Sequence, residues 1–449
     1  MVAGLSFPDS RQASRAANRL GSLRAPAGRI PLERALRSRD LRVRLAAASA
    51  LGQIGDPRSR VPLEAGLQDP DRHVRAQAAF ALSRLPDRRS LPRLIALLGS
   101  DESALVRNSA AIALGRIGDP RAAPVLERAL DDESDRVRRE AVVALERSGD
   151  PEAAQKVRPF LRDPARRVRI VATLVLGLRR DADSVPELLE FAERAEDWEK
   201  PALMVALGRI GTPECGAVLA RFSEDPARWV RVCALHGLSE MRAPEAPSIA
   251  RASLDDPAWA VRGAASLALG RVGTPADRRL LGKRLADPSG WVRRAAIYSL
   301  GQLGASPQAG AVRQALDDPD PEVQLAAIWA LGELHDAKAL PRLIPRLASA
   351  PVRGVSAQIT IAEGDGSVRI VSDANERLFA ALVQAVGAIS SATHDPTARA
   401  ALVAAYRRVP VAERGRRVRL PTPLGSGEDP RTLQSLFDGL LMPERTGVR

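Results

Sequence analysis

The side chains of this 449-residue chain best suited to metal or nucleophilic chemistry are four histidines, His73, His236, His335 and His394, and two cysteines, Cys215 and Cys233. A bound metal needs such groups one turn apart, as His-x-x-x-His or Cys-x-x-Cys, so that several ligands converge. Neither spacing occurs in the sequence. There is also no Gly-x-Ser-x-Gly elbow, no Walker loop and no dinucleotide fingerprint behind a strand. No catalytic residue, metal or cofactor is called for, and the chain reads as a non-enzyme. The cysteines read as small, reduced apolar residues.

One polar pair does recur at fixed spacing. Aspartate stands six residues before arginine in Asp69/Arg75, Asp101/Arg107, Asp132/Arg138, Asp163/Arg169, Asp225/Arg231, Asp256/Arg262 and Asp287/Arg293, and Asp318 precedes Gln324 in the same way. A carboxylate just ahead of a helix can accept from its free N–H groups. If it also meets the arginine of an adjacent repeat, a line of charge-assisted hydrogen bonds runs through the stack. Catalysis needs one constellation, whereas this pair recurs along the chain. A structural ladder is the expectation.

The arginine positions define the period. Arg44, Arg75, Arg107, Arg138, Arg169, Lys200, Arg231, Arg262, Arg293 and Gln324 follow one another at 31 residues, with a single step of 32. A period this strict, between about 20 and 50 residues, marks a solenoid. Within a unit, Val261, Ala264, Ala265, Ala268, Leu269 and Val272 keep the spacing of one helical face, which predicts a first helix, A. Gly270 and Gly273 fall at its expected end, where positive φ would close it. An Asp-Pro pair such as Asp119-Pro120 then starts a second helix, B, as in 122–130 and 339–347. Neither helix pair can bury its apolar face alone.

The Asp-x5-Arg spacing, the Ala pairs of helix A, the ALGRIG ending and the DPRAAP start of helix B, as in residues 101–130, resemble HEAT repeats of the phycobilisome-lyase type. The resemblance covers residues 38–350 as ten units. It implies a right-handed α-solenoid of about twelve helix pairs, an inter-repeat Asp–Arg ladder, and B helices on the concave face. The family includes chromophore lyase subunits, a di-iron hydroxylase, DNA repair glycosylases and scaffolds, so fold follows from it more firmly than function. The di-iron members need His-Glu pairs, and this sequence has no such dipeptide.

The remaining segments depart from the repeat. Residues 1–37 read as a degenerate N-terminal cap and 374–410 as a divergent C-terminal helix pair. Between the last repeat and that pair, 351–373 carries two β-branched runs around the turn EGDG, the pattern of a small β-hairpin. It is either a cap over the last layer or a partner-binding arm. Residues 411–449 read as a basic, Pro/Gly-rich linker followed by a short amphipathic helix bearing Leu433, Leu436, Phe437, Leu440 and Leu441, which either docks on a partner or folds back. In repeat six, Arg194 and Lys200 replace the ladder pair and Pro201 follows, so helix A must start late. A hinge there and a harmless drift with Asp197 as cap are both open.

Aromatic residues make up only 3% of the chain, so its core must be built from Ala and Leu. Trp198, Trp229 and Trp291 share one repeat position. They either cover the adjacent loop or line an aromatic ridge for an extended peptide. The net charge is +13 and is carried almost wholly by arginine. On helix B the basic residues cluster at Arg58, Arg60, Arg88, Arg89 and Arg93, and again at Arg278, Arg279, Lys283 and Arg284, the candidate partner contacts. Glutamates are mixed among them, and no aromatic residues interleave for base stacking. There is no secretory signal and no run of ~20 apolar residues, so a cytoplasmic protein without membrane contact is expected. The leading function is a non-enzymatic scaffold or adaptor holding one or more proteins. Nucleic-acid binding through a basic concave face is the alternative, and a lyase-type chromophore-attachment subunit is a third reading.

Overall fold

The computed structural model describes residues 10–304, 306–350, 360–361, 368–369 and 377–408. It is an all-α solenoid of antiparallel helix pairs, in two compact units, Met1–Ala206 and Leu207–Arg449. The first unit holds A helices Leu41–Ile54, Arg72–Ser83, Ala104–Ile117, Asp135–Arg147 and Arg166–Arg179, behind an N-terminal helix, Ser10–Ser22. The second holds Arg228–Glu240, Trp259–Val272, Gly290–Gln302 and Pro321–Glu333. The unit boundary falls inside the sixth A helix, Lys200–Ile210. Shorter B helices, among them Arg60–Gly66, Leu91–Ser100 and Arg278–Arg284, alternate with the A helices.

Burial follows the apolar periodicity. In the third repeat Val106, Ala110, Ala113 and Leu114 are inaccessible, as are Leu63 and Leu94 on neighbouring B helices. Each buried leucine is worth roughly 1.5–3 kcal/mol relative to exposure. Because the A-helix side chains are small, consecutive A helices come very close. A Cβ on Gly115 would lie 3.0 Å from the Ala144 Cα, and one on Gly177 only 2.6 Å from the Ala206 Cα.

This corrects the expectation for the glycine after the Ala-Leu pair. Gly270 lies inside helix Trp259–Val272 and makes room for Ser299, while Gly273 at the helix end has φ −73°, so neither uses positive φ. Left-handed closure occurs instead at Gly55 and Gly118, after the first and third A helices.

Most B helices open through a short 3-10 turn. The Asp56, Asp87 and Asp119 side chains each accept from the backbone N–H two residues on. At the C-terminal end, helix Arg377–Thr393 packs on the tenth A helix where a next A helix would lie, with Gly332 against Ala385. The hairpin expected over 351–373 is reduced, among the described residues, to Thr360–Ile361 pairing antiparallel with Val368–Arg369. The expected linker and amphipathic helix of 411–449 lie outside the described residues. No helix among the described residues is long and apolar enough to cross a membrane.

Candidate interaction surface

The Asp and Arg of the repeat meet across repeat boundaries. Arg75 Nε and Nη2 donate to Asp101 at 2.8 and 3.1 Å, while its Nη1 donates back to the Asp69 carbonyl of its own repeat at 3.0 Å. The same fork joins Arg44 to Asp69, Arg107 to Asp132 and Arg138 to Asp163 in the first unit. In the second unit it joins Arg231 to Asp256, Arg262 to Asp287 and Arg293 to Asp318. The charges hold one another ionised. Asp101 raises the pKa of Arg75, and Arg293 holds the Asp318 carboxyl below the usual range. At Asp132 burial is the largest influence and opposes ionisation, but the Arg107 bridge, the Ser134 N–H and the Arg107 and Arg138 charges together still hold the carboxyl below its usual range.

Each ladder aspartate has one further task, different from the one expected. Its Oδ1 accepts from the N–H two residues on, as Asp101 does from Ser103 at 2.9 Å. That residue sits at the N-cap position itself. The aspartate thus folds the loop leading into helix A and does not cap the helix's own first turn. The arginine then grips two loop carbonyls through Nη1 and the carboxylate through Nε and Nη2, as Arg75 does with Asp69, Pro70 and Asp101.

Repeat six solves its broken rule locally. Arg169 finds the buried Glu199, at 2.8 Å, where an aspartate at 194 would have been expected. Glu199 Oε2 also accepts from the Glu196 N–H. Asp197 pairs with Lys200 at 2.8 Å, and the helix begins at Lys200 with Pro201 in its first turn. Glu199 was missed because it lies five residues beyond the ladder position; the signal was an acidic residue directly before the displaced helix start.

The basic residues proposed as partner contacts largely face carboxylates of the chain itself. Arg58 and Arg89 each grip the aspartate two residues before them, at 2.7 Å, and Arg88 reaches Asp119 at 3.3 Å. These bridges push Asp56, Asp87 and Asp119 down to about 2, with the hydrogen bonds from Arg58, Arg89 and Arg121 as the leading cause. Arg60 and Arg93 both donate to Glu64, which is only 2% exposed and also accepts from Ser90. In the second unit Arg278 donates to the Leu303 carbonyl at 3.1 Å, and Arg284 pairs with Asp255 at 2.9 Å. Arg279 and Lys283 are exposed. What reads as a basic cluster in sequence is therefore, for the most part, a second set of ties between B helices and turns.

The tryptophans differ among themselves. Trp198 is half-buried, donates to Glu196 at 2.6 Å and lies under the Arg166 guanidinium. Trp291 packs over Gly263, where an added Cβ would meet its Nε1 at 2.2 Å, and carries Arg294 on its face. Trp229 is 50% exposed and Trp259 48%. Trp198 thus sits against the loop before its helix and Trp291 against the preceding A helix, while Trp229, with the Arg228 guanidinium over its ring, and its off-register neighbour Trp259 are half-exposed. Trp329 stacks on Tyr298 at 4.5 Å.

These helix pairs find their counterpart among known proteins. A family model described as HEAT repeats matches residues 2–82, 61–146, 128–205, 202–270, 218–301 and 279–362. The chain belongs to the HEAT-repeat family. No curated protein matches it in sequence. This HEAT-repeat chain is similar in fold to yeast importin-beta, at 14% identity over 91% of its length and 63% of that chain, with TM-score 0.59. Another importin-beta structure aligns at 14% identity over 86% of this chain and 60% of that one, with TM-score 0.51. The HEAT-repeat chain thus spans about three fifths of the length of these importins. A complex of CpcE and CpcF of phycocyanin lyase from a Nostoc species aligns at 23% identity over 54% of this chain and 92% of that one, with TM-score 0.35.

Proposed function

We propose that this HEAT-repeat protein is a non-catalytic scaffold that binds one or more protein partners on the exposed B-helix side of its helix pairs. Its fold is typical of protein-interaction scaffolds. The observation that carries the reading is the ladder: the charged side chains that recur in phase are committed to joining one repeat to the next. Such stitching fixes the surface before any partner arrives, and a preorganised surface loses little conformational entropy on binding. The nucleic-acid alternative draws less support, since a phosphate would have to displace Asp56, Asp87 or Glu64 to reach Arg58, Arg89 or Arg93.

Affinity capture of the native partner, followed by crosslinking to the full chain, tests the proposal. Crosslinks confined to B helices and their turns, with capture reduced by Arg89→Glu and Arg121→Glu together, are the expected result. Tight binding of duplex or single-stranded oligonucleotides, falling steeply with salt and abolished by reversing Arg88, Arg89 and Arg93, would instead establish the alternative.

A further inference from the structure

The A-helix side of the first unit carries a different kind of surface. Nine residues after the ladder arginine, three successive A helices place another arginine: Arg84, Arg116 and Arg147. All three are exposed, and none has a carboxylate or carbonyl partner among the described residues. Arg84 lies over the Phe80 ring at 5.5 Å. Partial desolvation lowers the pKa of Arg147, and the neighbouring Arg116 charge lowers it further against the opposing Glu140. The two cations repel each other, and neither forms an ion pair among the described residues. The nearby carboxylates are already engaged, Glu140 by Arg139 at 2.5 Å and Glu146 by Arg179.

One helical turn back from each of these arginines the same face is apolar. Phe80 is 37% exposed, and Ile112 and Val143 are partly exposed at the same repeat position. With neighbouring helix axes ~8–10 Å apart, the three cations form a row alongside an apolar stripe. On the B side of the same unit, by contrast, Arg58, Arg60, Arg88, Arg89, Arg93 and Arg121 each face a carboxylate.

We propose that this row and stripe, on the A helices of repeats two to four, form a docking surface for an acidic amphipathic segment of a partner protein, its carboxylates set on Arg84, Arg116 and Arg147 and its apolar side chains on Phe80, Ile112 and Val143. Charge complementarity decides the partner. Uncompensated guanidiniums gain most from carboxylates delivered beside a surface that removes water. The apolar stripe selects a segment with hydrophobic residues at helical spacing over a simple polyanion. The surface is separate from the B-helix side, so each can fail without the other.

The test uses the full chain and a fluorescent helical peptide of about 18 residues, Leu on one face and Glu elsewhere, beside its Gln-for-Glu counterpart. At about 50 mM salt the Glu peptide is expected to bind on the order of tenfold tighter than the Gln peptide, with the difference fading towards about 500 mM as the charges are screened. The pair Arg116→Glu and Arg147→Glu should weaken it a further ~10-fold, Phe80→Ala more modestly, and Arg89→Glu on the B side by less than ~2-fold. If the charge reversal disturbs folding, seen as a lowered melting temperature, Arg116→Gln with Arg147→Gln takes its place. Equal binding of the two peptides, no binding of the Glu peptide at low salt, or insensitivity to both arginine pairs overturns the proposal. So does binding of phosphatidylserine vesicles or duplex DNA through the same arginines when the Glu peptide does not bind.

Discussion

The ladder makes a quantitative claim that Arg138→Ala puts to the test. Arg138 donates to Asp163 at 2.8 and 2.9 Å and to the Asp132 carbonyl at 2.9 Å, and the two side chains are 14% and 4% exposed. Truncation leaves a buried carboxylate with the Ala165 N–H as its one remaining donor in this set, and it strips two loop carbonyls, of Asp132 and Glu133, of the guanidinium. Breaking one side of a buried, hydrogen-bonded pair costs about 3–5 kcal/mol. The slight exposure of Arg138 lowers the expectation to about 2–4 kcal/mol. Arg138→Lys should recover only part of this, because an ammonium cannot reproduce the fork. By comparison, Arg89→Ala removes a bridge whose arginine is 72% exposed and screened by solvent, and should cost much less. Urea unfolding followed by circular dichroism gives the global change, and amide exchange in Asp135–Arg147 and Arg166–Arg179 gives the local one. A cost below about 0.5 kcal/mol for Arg138→Ala, or one equal to that of Arg89→Ala, would refute the claim that the ladder joins the repeats.

Other consequences follow from the same contacts. Glu199→Gln should release Arg169 and destabilise the first unit by about 2 kcal/mol, whereas Asp197→Asn, whose side chain is 73% exposed, should be nearly silent in the same titration. Gly177→Ala drives a methyl into the Ala206 backbone and should cost about 1–3 kcal/mol in thermal or urea unfolding. Asp56, Asp87 and Asp119 sit lowered to about 2, below their unfolded values near 4, so their contribution is complete above about pH 4 and drains away as pH falls through about 2. Melting curves between pH 5 and pH 2 should show that loss, and it should shrink in an Asp56→Asn variant, whose group no longer titrates.

Much of this organisation is legible in the residues. The period runs from Arg44 to Gln324, and the apolar spacing of helix A and the Asp-x5-Arg rhythm follow from local rules that each repeat restates. Pairing of Asp101 with Arg75, across one repeat boundary, is the simplest way to satisfy both. The glycines were harder to read. Gly270 and Gly273 sit near a helix end, as closing glycines do, and only the approach of the next A helix reveals that Gly270 is needed for space. Glu199 likewise lies outside the repeat register, and its role depends on where Pro201 lets the sixth A helix begin.

The basic residues mark the limit most clearly. A count of arginines on helix B reports charge, but whether a charge is available depends on what faces it. Arg60 is occupied by Glu64 one turn along its own helix and Arg93 by the same Glu64 from a neighbouring B helix, while Arg116 and Arg147 have no ion-pair partner among the described residues. The sequence by itself determined the repeat, its helices and the chemistry that joins them, because those depend on spacings within and between adjacent units. Only the tertiary structure decided which cations are spent and which are free, because much of that balance is struck between side chains as far as 25 to 33 residues apart in the chain and a few ångströms apart in space.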